Sequence, residues 1–158
     1  PLKLSFIDGL DYYKPGLPYN GKLKVTNPDG TIVSGEPIEI CATINKRRIL
    51  ADWWATKTVQ TCRNYTSCSQ GLISYTILPQ NVDVISISLE AKALNYDPAT
   101  NKDVGNEPNQ LSQPSTSKFL NPYFSPSGSF IQIQPIPQPV ACASSQTLKV
   151  LFTSQESA

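Results

Sequence analysis

Tyr12-Tyr13-Lys14-Pro15-Gly16-Leu17-Pro18-Tyr19-Asn20-Gly21-Lys22-Leu23-Lys24-Val25-Thr26-Asn27-Pro28-Asp29-Gly30 is the stretch on which the fold turns. It encodes extended chain, a fixed bend, a strand and a tight turn. Pro15-Gly16 fits the centre of a type II turn, because proline presets the first dihedral and glycine accepts the positive angle at the second. Leu17 precedes Pro18 and is pushed toward extended geometry. Lys22 to Thr26 then alternates, with Leu23 and Val25 on one face and Lys22, Lys24 and Thr26 on the other, which is a half-buried strand. Asn27-Pro28-Asp29-Gly30 is a run of turn formers, after which the apolar pattern resumes at Thr31-Ile32-Val33.

The same alternation recurs on either side. Leu2, Leu4 and Phe6 share a face of a first strand, and Ile38, Ile40, Ala42 and Ile44 share a face of another, with Glu39, Cys41 and Thr43 opposite. Cys41 is therefore placed away from the apolar face. Leu72–Leu78 and Val82–Ala91 are rich in strand formers, the second with Val84, Ser86, Ser88 and Glu90 opposing Ile85, Ile87, Leu89 and Ala91. Lys118 to Phe124 closes the unit. Seven strands over about 124 residues, with no credible helix, predict an all-β, immunoglobulin-like or fibronectin-like sandwich. Fourteen prolines exclude a long-helix architecture, since an interior proline costs a helix about 3 kcal/mol. Residues 125–158, with strands near Phe130–Gln134 and Thr147–Phe152, are too few to bury a core of their own. They lean on the first unit or begin a second.

Taken as an ordered string, Tyr-Lys-Pro-Gly-Leu-Pro, a strand, Asn-Pro-Asp-Gly and Val33-Ser34-Gly35-Glu36-Pro37 resemble the start of a fourth macroglobulin domain. The family is the α2-macroglobulin, complement and thioester-protein superfamily. Phe124-Ser125-Pro126-Ser127-Gly128-Ser129-Phe130-Ile131-Gln132-Ile133 is similar to the junction between the fourth domain and the fifth, and Gln146 to Phe152 to an early strand of the fifth. Cys62-Arg63-Asn64-Tyr65-Thr66-Ser67 followed by Gly71-Leu72-Ile73 is most similar to the invertebrate macroglobulin-complement-related branch. The resemblance implies a macroglobulin-like β-sandwich over 1–124 and a linker with the first strands of a following domain over 125–158. It further implies a non-catalytic structural and interaction role in a secreted or cell-surface protein. The parent's work would be innate immunity through protease trapping or opsonisation, or a junctional role. The expected partners are neighbouring macroglobulin domains and, through the parent, proteases or cell-surface proteins.

Four cysteines without a histidine disfavour zinc and favour disulfides in an oxidising compartment. The resemblance implies a Cys41–Cys62 bridge, because the family's similar segment has a cysteine at both positions. Cys68 departs from the family pattern, and its options are Cys142, a partner outside the chain, or Cys62. Asn64-Tyr65-Thr66 is the one glycosylation sequon and is expected in a cysteine-flanked loop.

Asn45 to Lys57 breaks the alternation with adjacent bases and adjacent tryptophans, and is expected to be an irregular strand or excursion. Arg47, Arg48, Trp53 and Trp54 form a candidate interface there. The plain alternative is one tryptophan plugging the sandwich beneath solvated bases. The same patch supports the rival assignment of the chain, an adhesive or receptor-type immunoglobulin-like module binding its own ligand. Stacked nucleic acid or a membrane surface would need a stronger field than the net charge of +1 supplies. From Asn95 to Ser117 polar residues dominate, which predicts a long surface loop. Asp97, Asn101 and Asp103 lack the glycine and terminal glutamate of a helix-loop-helix calcium site.

The commonest general base is missing, because the chain has no histidine. Asp8 and Asp11 read as solvated carboxylates at a strand end. No phosphate-binding glycine loop, Gly-x-Ser-x-Gly elbow or Gly-Cys-Gly-Glu-Gln thioester sequence is present, and a non-catalytic chain with no cofactor is expected. No apolar run approaches the ~20 residues that span a bilayer. The first residue is proline and no leader is recognisable, which predicts an excised piece whose termini say nothing about targeting.

Overall fold

The computed structural model describes residues 2–47, 56–95, 113–136 and 140–155. The described residues form strands β1 (Lys3–Ile7), β2 (Tyr12–Tyr13), β3 (Tyr19–Thr26), β4 (Pro37–Arg47), β5 (Thr56–Thr66), β6 (Leu72–Ile77), β7 (Val84–Ala93), β8 (Ser115–Pro122), β9 (Phe130–Ile133) and β10 (Val150–Thr153). Strands β1 to β8 build two layers. One is a three-stranded sheet in the order β1-β3-β6, and the other a five-stranded sheet in the order β2-β8-β7-β4-β5. All pairings are antiparallel except β2 with β8. A separate hairpin of β9 and β10 completes the described chain.

The alternation in the sequence sets which face each strand turns inward. Leu23 and Val25 of β3, Ile38 of β4, Ile87 and Leu89 of β7 and Leu120 of β8 are the largest fully buried side chains. Burying each contributes about 1.5–3 kcal/mol over leaving it in water. The bend behaves as its residues dictate. Gly16 has φ 81°, and the Leu17 amide donates to the Lys14 carbonyl at 3.1 Å. The Asn27–Gly30 turn closes with the Gly30 amide on the Asn27 carbonyl at 3.0 Å, and Asp29 Oδ1 accepts from both the amide and the hydroxyl of Thr31.

Five local expectations change. The sandwich has eight described strands rather than seven. Regular strand extends further than expected after Ile44, because β4 continues to Arg47 and pairs in unbroken register with β5, Arg47 facing Thr56. The sequon does not sit in a loop: Asn64 belongs to β5, opposite Glu39. The β5 pattern is faint because the strand is an edge, and a cleft of about 240 Å³ opens between it and β6. Its inward positions can therefore be Thr61 and Arg63, across from Ala42 and Ile40. Val84 enters the core rather than facing away from it. The register shifts at Asn45/Lys46, so that Ser86 pairs with Asn45 and Val84 with Lys46, which re-aims the start of β7. Polar chain expected up to Ser117 is strand from Ser115, while Asp97, Asn101 and Asp103 lie outside the described residues.

Candidate interdomain interface

Between β1 and β3 the chain runs along the end of the sandwich where β8 leaves it. The Asn121 amide donates to the Asp11 carbonyl and the Tyr123 amide to the Tyr13 carbonyl, at 3.3 and 2.8 Å. These bonds are the parallel β2–β8 ladder. Tyr13 is locked beneath it, with its hydroxyl donating to the Val84 carbonyl at 2.9 Å. Burial, reinforced by the Asp83 carboxylate, pushes the Tyr13 phenol up to about 12. Tyr123 packs on Tyr12 with ring centroids 4.8 Å apart and meets Phe130 edge-on at 6.3 Å. The aromatic series carries the chain from the sandwich into β9.

The Pro15-Gly16 turn is where the hairpin sits. Lys14 Nζ donates to the Ile131 carbonyl at 2.7 Å, and Gln132 Nε2 donates to the Pro18 carbonyl at 2.7 Å. Asn20 Nδ2 reaches Gln134 Oε1 at 3.5 Å. A Cβ on Gly16 would lie 2.8 Å from Thr153 Cγ2, so β10 approaches the bare turn closely. A cleft of about 470 Å³ remains between Leu10, Tyr12 and Asn20 on the sandwich side and Gln132 and Pro135 on the other. The opposite face of the hairpin is uncovered. Ile133 pairs with Val150 and Ile131 with Phe152, and the four are 60%, 45%, 63% and 74% exposed.

Cys41 and Cys62 are directly opposite in the β4–β5 ladder and are joined as a disulfide, with Cα atoms 4.0 Å apart. The bridge lies on the sheet face away from Ile40 and Ala42. Glu39 lies beside it, within 4.8 Å of both sulfurs, but sulfurs bonded to each other offer a cation no thiolate. Cys68 and Cys142 are free and exposed, so they are joined neither to each other nor to Cys62, which Cys41 engages. The Gln70 and Leu72 backbone hydrogen bonds lower the Cys68 thiol below its ordinary value. Asn64 is exposed on β5.

Arg47 is exposed at the end of β4, its amide donating to the Asp83 carbonyl at 2.8 Å. Arg48, Trp53 and Trp54 lie outside the described residues. Asp8 and Asp11 turn to separate lysines, Lys22 at 3.8 Å and Lys118 at 3.4 Å, with both carboxylates largely in water. Residue types mark Pro15-Gly16 as a bend but give no sign that Lys14, Asn20 and Gln132 belong to one contact. The available signal was the similarity of Phe124–Ile133 to an interdomain junction.

The macroglobulin domain MG4 family model matches residues 4–109. Complement C3 of Eptatretus burgeri is 28% identical over 130 residues, covering 77% of this chain and 6% of the relative. Venom factor of Crotalus adamanteus is 35% identical over 69 residues, covering 44% of this chain and 4% of the relative. The chain spans less than a tenth of the length of these curated relatives. No helix among the described residues is long and apolar enough to cross a membrane. The MG4 match covers the two-layered sandwich from β1 through β7, and the chain belongs to the MG4 macroglobulin domain family of the α2-macroglobulin and complement superfamily.

Proposed function

We propose that this chain is a non-catalytic structural and interaction domain of a secreted or cell-surface thioester-superfamily protein, and that residues 125–158 begin the next macroglobulin domain. The observation that carries this is the two-faced hairpin: one face is seated on the sandwich, and the other presents Ile131, Ile133, Val150 and Phe152 to solvent. A pair of four-residue strands is marginal in water, and an apolar face of this kind calls for a cover. Neighbouring macroglobulin domains are the partners, and the parent's defence role in protease trapping or opsonisation rests on the likeness to complement C3. In an oxidising compartment the exposed Asn64 would carry a glycan, and Cys68 and Cys142 would find partners in the longer protein.

The test is a fragment of the parent extended past Ala158 through one further domain length. Binding of a hydrophobic dye and labelling of Phe152 should both fall relative to the present chain as the face is covered. Unchanged dye binding and labelling in a folded longer fragment would refute the assignment of 125–158.

A further inference from the structure

We propose that Lys14 and Gln132 form a clamp that fixes the β9–β10 hairpin, and through it the direction of the following domain, against the Pro15-Gly16 turn. This rests on the assignment of the hairpin to the next domain. The two hydrogen bonds cross in opposite senses. Lys14 reaches from the sandwich to the backbone of β9, and Gln132 reaches from β9 to the backbone of the sandwich turn, each at 2.7 Å. Their carbonyl acceptors are those of Ile131, held in β9, and of Pro18, immediately before β3, so neither end is free to follow a drifting partner. The bonds define a line, and the contact of Thr153 with the bare Gly16 backbone adds a point off that line. Three contacts at separated points fix an orientation that the Ser125–Ser129 linker would otherwise leave to rotate. Lys14 is suited to this work because its ammonium makes a charge-assisted bond on a stem that spans the cleft.

The clamp also explains why such a short hairpin is formed. Strands of four residues gain too little on their own, so protection of their amides reports seating on the sandwich. The experiment is hydrogen exchange by mass spectrometry on this chain and on its Lys14→Met/Gln132→Leu variant, which removes both donors and keeps most of the side-chain volume. Protection over 130–134 and 150–153 should fall about ten- to a hundred-fold, as expected for two net hydrogen bonds, one of them charged. Peptides from β4 and β7 should be unchanged, which verifies that the sandwich is folded. Hairpin protection within about threefold of the parent chain, or a hairpin already unprotected in the parent chain, overturns the clamp. Failure of the underlying assignment looks different: in the fragment extended past Ala158 the hairpin's protection would not rise, whatever the variant does here.

Discussion

Gly21→Ala should destabilise the sandwich although it exchanges glycine for a residue that strands accept more readily. Gly21 lies in the middle of β3, directly opposite Tyr75 of β6. Its φ lies outside the left-handed region, so the backbone tolerates alanine, and stiffening the unfolded chain would by itself stabilise by about 0.4–1 kcal/mol. Space decides the sign. A Cβ at position 21 would come 2.5 Å from Tyr75 Cζ and would also collide with Tyr75 Oη. The ring has little room to retreat, because Phe6 meets it edge-on at 5.8 Å and Tyr19 lies at 6.4 Å. Overpacking of this kind costs about 1–3 kcal/mol, which leaves a net loss of about 1–2 kcal/mol. Urea unfolding followed by far-ultraviolet circular dichroism should show a lower midpoint with an unchanged slope. Tyr75→Phe is the partner change. The Tyr75 hydroxyl is buried without a hydrogen-bond partner among the described residues, so its removal alone should be neutral or stabilising by up to about 1 kcal/mol. In the double variant the oxygen clash is gone and the Cζ contact remains, so the alanine should cost about half as much. A Gly21→Ala chain as stable as the parent would refute the packing argument, and so would strict additivity between the two changes.

Replacing both Cys41 and Cys62 by alanine frees a loop whose ends are 21 residues apart, and chain entropy puts the loss at about 3 kcal/mol; a loss below 1 kcal/mol by urea unfolding would count against it. The raised phenol of Tyr13 makes stability full below its unfolded value of 10.0 and lost as pH rises through about 12, at up to about 1.4 kcal/mol per pH unit. Tyr13→Phe should therefore flatten the alkaline limb of a stability-pH curve between 10 and 12, and an unaltered limb would contradict the burial account. Cys68, lowered by backbone hydrogen bonds, should react with iodoacetamide at pH 7 faster in the folded chain than in urea, and equal rates would show that the turn does not favour the thiolate.

Much of the sandwich was legible because burial on one side and water on the other leave a period of two in the residues themselves. Leu23 and Val25, and Ile38 with Ile40, announce both the strand and its inner face. Where that asymmetry fails, so does the signal. β5 is an edge with exposed residues along most of its length, and nothing in Thr58, Gln60 or Thr61 marks one side as inward. The re-aimed Val84 depends on a register shift against Asn45 and Lys46, a property of two strands together that neither reveals separately. β2 is two residues long and exists through main-chain pairing with β8.

The interface was hidden for a related reason. Residue types reveal sites in which side chains meet side chains, and charge beside aromatic residues makes Arg47, Arg48, Trp53 and Trp54 conspicuous in the sequence. At the β9–β10 junction, Lys14 and Gln132 each meet a carbonyl, and every residue in the chain carries one. Such an acceptor has no sequence signature, so neither donor could be paired with its partner before the chain was folded. The detectable element was the turn: Pro15 and Gly16 fix a corner without side-chain bulk, and Thr153 packs against that bare backbone. A rigid corner beside a lysine and a proline carbonyl is suited to holding the β9–β10 hairpin at one angle. It follows that substitutions at Lys14 or Gln132 should alter how the hairpin is seated while leaving the stability of the sandwich nearly unchanged, whereas substitutions at Gly21 or Leu23 should do the reverse.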